Sequence, residues 1–232
     1  MTEKLKGQRA RDSRTRWKQN PEAVQANILR VARQEFAKNG LSGARVDEIA
    51  ARTETSKRMI YYYFGDKEGL YRRVLEEAYR EVRAGEQDLD LEDLEPEDAL
   101  RRLVQFTFDH HSRNPAFIRL VMIENIHDGA YLKQSKTIRE LNRGAIQHLE
   151  RVLDRGRRSG VFRPDADPLV VHWQISAFSF FNVSNAATFP VIFGDRLAKP
   201  RGQKLLRHWV AEAVLRSVVS APETPHVMSS VS

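Results

Sequence analysis

The stretch Gly43–Lys67, GARVDEIAARTETSKRMIYYYFGDK, leaves few folds open to this chain. Val46, Ile49 and Ala50 recur at helical spacing, and Ile60 and Phe64 do the same a few residues later. Between them Thr53, Glu54 and Thr55 give room only to reverse direction, and Ser56 stands where a hydroxyl can accept from the first free amides of a new helix. The pattern predicts a helix-turn-helix. Its second helix turns Ile60 and Phe64 inward and leaves Lys57, Arg58, Tyr61 and Tyr63 on the outer face, with Tyr62 expected in the core. A basic and aromatic helix of that kind is shaped to enter a DNA major groove.

The rest of the chain repeats helical punctuation and offers no strand pattern, so the expectation is an all-α fold of about nine helices. Asn20 and Pro21 open a first helix with Val24, Ile28, Val31, Ala32 and Phe36 on one face, and Gly40 ends it. Asp66 caps a fourth helix that runs to about Gly85, joins head to body and is the natural lever between them. Later helices are predicted over 96–112, from the cap pair Asn114–Pro115 to Ile126, over 134–159 and from Asp167–Pro168, with a last one over 203–219. The helix after Pro168, LVVHWQISAFSFFNVSNAAT, is apolar round most of its circumference. Such a helix is buried on several sides, in the domain interior or against another chain.

Charge is distributed unevenly. Of 38 Lys and Arg and 31 Asp and Glu, residues 1–83 hold 19 and 12, leaving 19 of each for the remainder, so the first third carries the whole net charge of +7. That asymmetry points to a nucleic-acid-facing module on a neutral body. Residues 1–20 read as a disordered basic segment, either a solubilising tail or an arm that follows the DNA backbone or minor groove. Residues 21–66 form the expected DNA-binding domain, 67–220 the helical body, and 221–232 a disordered tail. Between Gly85 and Asp98 lie eight acidic residues and no Lys or Arg, expected as a solvated linker with an acidic first turn.

Several chemistries find no residues to carry them. The chain has no cysteine, which excludes thiolate metal sites and fits a reducing, cytoplasmic setting. It has no run of about 18 apolar residues for a membrane span and no apolar leader. G-x-S-x-G, the phosphate loop, the zinc-protease motif and the dinucleotide fingerprint are all missing, so no enzyme and no cofactor is expected. His110 and His111 are adjacent and point to different sides of a helix, which makes a poor chelate, so no metal is expected.

The segment from Pro21 to Tyr71 resembles the DNA-binding domain of the TetR family of bacterial regulators. The likeness rests on the pair Ile49–Ala50, the S-K-x-x-[LI]-Y-Y-x-F core from Ser56 to Phe64, and x-D-K-E-x-L from Gly65 to Leu70. The helical remainder is similar, more loosely, to the effector-binding and dimerisation half of that family, in its RutR-type branch. The resemblance implies a homodimer on a pseudo-palindromic double-stranded operator. Lys57, Arg58, Tyr61 and Tyr63 would then contact DNA from the recognition helix, and Lys67 would bind phosphate, as its place at a helix N-terminus also suggests. Arg45 is a further backbone candidate. Thr53, Glu54 and Thr55 replace the family's Ala-Gly-Val, so either Glu54 is left-handed at a cost of about 1–2 kcal/mol or the turn has another shape.

In the body, Glu124, Asn125 and His127 close an apolar helix and could supply the few polar groups of a pocket. Asn182 and Asn185, on the helix of Trp173, Phe178 and Phe181, need partners if buried, either a neighbouring protomer or a small molecule. The expected function is a transcriptional regulator, a repressor released by a small-molecule effector. The alternatives are a ligand-independent regulator or activator with the same head, and a helical protein-interaction module tethered by its basic N-terminus.

Overall fold

The computed structural model describes residues 20–220, so both terminal segments expected to be disordered lie almost wholly outside the described residues. Among the described residues there are ten α-helices and, in place of any strand, one isolated bridge between Phe162 and Val219. The helices are α1 Pro21–Gly43, α2 Val46–Arg52, α3 Lys57–Phe64, α4 Lys67–Gln87, α5 Pro96–Arg113, α6 Pro115–Ile126, α7 Lys136–Arg158, α8 Pro168–Ser184, α9 Phe189–Phe193 and α10 Pro200–Val218. Short 3-10 turns stand at Leu132–Gln134 and Asp195–Leu197. The helix that sequence patterning did not resolve is α9. It breaks from α8 at Asn185, and Pro190 lies in its first turn.

Most helix starts follow their sequence signals. Asn20 Oδ1 accepts from the Ala23 amide at 3.0 Å, and Asp167 Oδ1 accepts from the amides of Leu169 and Val170 at 2.8 and 3.0 Å. A cap of this kind contributes about 1 kcal/mol. Asn114 departs from expectation and gives α6 no side-chain cap bond. The start of α6 relies instead on Pro115, which has no amide hydrogen to satisfy. At the far end of α1, Gly40 takes φ 67° and ψ 178°, which kinks the helix before its last turn.

The chain divides into two compact units: one holds residues up to Ala84 with Arg113–Asn142, the other Gly85–Ser112 with the residues from Arg143 onward. The first has a core of Ile28, Val31, Phe36, Ile49, Ile60 and Tyr71, joined by Leu120 and Ile138 from far along the sequence. Phe36 and Tyr71 are fully buried and meet edge to face at 5.1 Å. In the second unit Leu100, Val104, Leu153, Phe162, Val171 and Val214 form the centre of the core. Full burial of each such side chain contributes about 1.5–3 kcal/mol.

The acidic stretch before α5 is more than a solvated linker. Leu91 is 1% exposed, and the Arg155 guanidinium donates to the carbonyls of Leu91, Glu92 and Leu94. The leucines spaced among the acidic residues are the sequence signal for this anchoring.

Candidate nucleic-acid interface

The turn between α2 and α3 is built from backbone bonds. The Thr55 amide donates to the Ala50 carbonyl at 3.1 Å and the Glu54 amide to the Ala51 carbonyl at 3.5 Å, the paired bonds of a Schellman C-terminus. That motif places its penultimate residue in the left-handed region, and Glu54 occupies it at φ 52°. Two threonines hold the strained residue in place. Thr53 Oγ1, itself buried, donates to the Ile49 carbonyl at 2.8 Å, and Thr55 Oγ1 donates to the Thr53 carbonyl at 3.1 Å. The turn thus keeps the shape a glycine would give it, at a cost of about 1–2 kcal/mol.

Ser56 then starts α3, its hydroxyl accepting from the Met59 amide at 3.2 Å. Ile60 is fully buried and Phe64 nearly so, which fixes the outer face. Lys57 and Arg58 are exposed. Tyr62, expected in the core, is 76% exposed, whereas Tyr61 and Tyr63 are half-buried against the head's core. The helical step explains the correction. Tyr62 falls two residues from both Ile60 and Phe64, roughly opposite the inner stripe, and sequence alone offered only a run of three tyrosines.

The two cations at the start of α3 are in different states. Lys57 Nζ lies 3.1 Å from Asp47 Oδ2 on α2. Arg58 has no such ion pair among the described residues. Lys67, at the first position of α4, donates from Nζ to the Ser42 carbonyl at 3.2 Å, and Asp66 Oδ1 accepts from the Gly69 amide at 2.6 Å. Gly69 has a steric reason to be glycine, because a Cβ there would stand 2.2 Å from the Phe64 carbonyl oxygen. The start of α4 therefore packs backbone to backbone on the end of α3.

Arg45 is exposed, and its amide donates to Glu35 Oε1 at 3.3 Å. Sequence patterning overlooked Glu35. This carboxylate is 7% exposed and also accepts from Asn39 Nδ2 at 2.7 Å, with Arg52 at 3.9 Å from its other oxygen. It fastens α1 to both ends of α2. Among the described residues 20–83 there are 12 basic and 10 acidic residues, so most of the head's charge excess belongs to the N-terminal segment.

Comparison with known proteins decides the family. Residues 28–74 match the family described as bacterial regulatory proteins, tetR family, and residues 96–214 match the tetracyclin repressor-like C-terminal domain. The chain is also 32% identical over 200 residues to the HTH-type transcriptional repressor NicS of Pseudomonas putida, covering 86% of this chain and 94% of that one. The chain belongs to the TetR family. Solved structures share the fold: the transcriptional regulator SCO4942 of Streptomyces coelicolor superposes with a TM-score of 0.64 at 26% identity, covering 84% of this chain and 98% of the other. A tetR-family regulatory protein of Rhodococcus RHA1 gives 0.67 at 21% identity, covering 86% and 98%.

Within this TetR-family chain the residues expected at an effector site belong to both units. Glu124 is 1% exposed, and its Oε2 accepts from the amides of Tyr131 and Leu132 at 3.1 and 3.0 Å, stapling the following loop to α6. Its Oε1 and the Tyr71 hydroxyl are both buried, and the two side chains interact with each other. Burial first, and then the Glu124 charge, hold the Tyr71 phenol protonated far above its ordinary range. Asn125 Nδ2 donates to the Val121 carbonyl, and His127 lies exposed at the end of α6.

In the other unit, Trp173, Phe178 and Phe181 stand on the outer face of α8, 69%, 45% and 53% exposed. Asn182 is satisfied within its own unit by a reciprocal pair with Gln203 at 2.9 and 3.0 Å, and Asn185 caps the end of α8. Among the described residues no cluster of His, Asp and Glu could hold a metal ion, and no helix is long and apolar enough to cross a membrane.

Proposed function

We propose that this TetR-family protein is a cytoplasmic homodimeric repressor that binds a pseudo-palindromic operator through α3 and leaves it when a small molecule binds. One observation carries the reading: behind a turn of regular Schellman geometry, α3 buries Ile60 and Phe64 and presents Lys57, Arg58 and Tyr62 outward. Arg58, with no competing carboxylate, is assigned the base-reading role, since bidentate contact with guanine is the commonest specific arginine contact. Tyr62, Lys67 and Arg45 are assigned to phosphates, and the half-buried Tyr61 and Tyr63 to positioning the helix with their hydroxyls within reach of the backbone. The likeness to NicS, a transcriptional repressor, supports the sign of regulation.

Dimerisation is assigned to the outer faces of α8 and α10, where Trp173, Phe181, Leu205 and Trp209 leave large apolar area in water. For the effector we retain Glu124, a buried carboxylate, with Asn125 and His127 at the same helix end. An effector acts only through different affinities for the DNA-bound and free states.

A mobility-shift assay on the DNA upstream of the chain's own gene tests the function. A sequence-specific, salt-sensitive shift is expected; weak binding indifferent to sequence would favour the tethered interaction module. Thermal-shift screening of metabolites follows. A true effector stabilises the protein, releases the DNA, and does both less well with Glu124→Gln.

A further inference from the structure

Ten of the twelve large hydrophobic side chains exposed among the described residues lie on α8, α9 and α10. The two long helices fit the proposed dimer face. The five-residue α9 does not belong to either, yet it is the most exposed of all, with Val191 at 84%, Ile192 at 68% and Phe193 at 70%. Monomeric proteins seldom leave three consecutive side chains of this kind in water.

This corner is fixed in place. Gln203 Nε2 donates to the Leu197 carbonyl at 2.9 Å while pairing with Asn182, which ties the α8 end, the connection and the α10 start together. Gly202 lets α10 lie directly on the 3-10 turn, since a Cβ there would stand 2.2 Å from the Arg196 carbonyl oxygen. A chain of rings joins α9 to the α8 face: Phe181 to Phe189 at 6.1 Å and Phe189 to Phe193 at 4.8 Å. The apolar surface is thus continuous from α8 onto α9.

Symmetry then says what covers it. In a two-fold dimer the same surface serves both copies, and a patch away from the axis meets a different patch of the other copy. The exposed stripe of α8 is arranged about Ala177, with Trp173 four residues before it and Phe181 four residues after. Crossing two copies antiparallel at the small Ala177 sets each Trp173 against a Phe181. The same crossing carries the N-terminal end of one α8, where Leu169 is 64% and Val170 54% exposed, to the C-terminal corner of the other. These are the two remaining uncovered patches on the helix.

We infer that α9 is an end clasp of the dimer, in which Val191, Ile192 and Phe193 cover Leu169 and Val170 of a second copy of this chain. The inference rests on the dimer reading above. It also brings the interface closer to the 20–30 residues a side that stable dimers use.

The absence of cysteine makes the test clean, because any disulfide must join introduced residues. Val191→Cys and Leu169→Cys are made in separate full-length chains, one carrying a size tag, mixed to exchange subunits and oxidised gently. The expected product is the mixed V191C–L169C dimer, with little cross-linking of either variant alone. Each variant chain carries a single cysteine, so no bond can form within one chain. In sedimentation, Ile192→Ser with Phe193→Ser should raise the dimer dissociation constant at least tenfold, with the helical circular dichroism unchanged.

Self-cross-linking of V191C, or an unchanged dissociation constant, overturns the clasp. Trp173→Glu with Phe181→Glu tests the dimer face separately. If that variant stays dimeric the α8 reading fails, and if it dissociates while α9 variants do not, only the clasp fails.

Discussion

Lys57 Nζ sits 3.1 Å from the Asp47 carboxylate, so the first cation of the recognition helix is held by the helix in front of it. The pair is about half exposed on both sides and contributes well under 1 kcal/mol to folding. Should Lys57 contact an operator phosphate, that phosphate must displace the carboxylate. Asp47→Asn should raise operator affinity severalfold at low salt and steepen the salt dependence by up to about one counterion. An affinity titration over a salt series checks this; an unchanged slope would show that Lys57 never reaches phosphate.

Glu54 holds a left-handed conformation that the surrounding bonds impose. Glu54→Gly should therefore stabilise the chain by about 1 kcal/mol, a rise of about 2–4 °C in Tm, while leaving operator affinity nearly the same. A fall in Tm would mean that the Glu54 side chain supplies a compensating contact.

Arg58 and Tyr62 differ in what their loss should do. Arg58→Ala is expected to cost about 1–3 kcal/mol on the operator and to relax sequence preference at one position of each half-site. Tyr62→Ala should weaken all sequences alike. Binding measured on a panel of single-base operator variants distinguishes the two patterns, and a uniform loss for Arg58→Ala would move it to the backbone.

Glu35 is a buried acceptor that two donors share. Glu35→Ala leaves Asn39 and the Arg45 amide without their partner and should destabilise the chain by about 1–3 kcal/mol. Denaturant unfolding measures the loss, with the largest hydrogen-exchange increase expected in α2.

His148 gives stability a pH dependence. Burial first, and then Arg151, hold its imidazole below its ordinary value of 6.5, although Glu92 opposes them. The fold therefore prefers the neutral ring. This contribution is fully present above pH 6.5 and is lost as pH falls through the window between 6.5 and the lowered folded value. Unfolding free energy should decline from pH 7 to 5 in the natural chain and less so in His148→Gln; parallel curves would assign the acid sensitivity elsewhere.

The helices and the inward stripe of α3 were legible in the sequence because both depend on local signals: apolar spacing, capping side chains and one short turn. Ser56, Asp66 and Asp167 act as caps for the same reason that their residue types suggested it. Tyr62 was misplaced because three tyrosines in a row carry no periodicity of their own. Glu35 was missed because its links to α2 come from ten and seventeen residues onward, a distance at which sequence spacing says nothing about contact. The same limit hid α9, which is too short for a helical stripe, and left the outer face of α8 open between an interior and a partner.

Gly69 gives the head a mechanical property. Because α4 rests on the Phe64 carbonyl with no side chain between them, there is no compressible layer to take up a displacement. The end of α3 is therefore expected to follow any tilt of α4 closely.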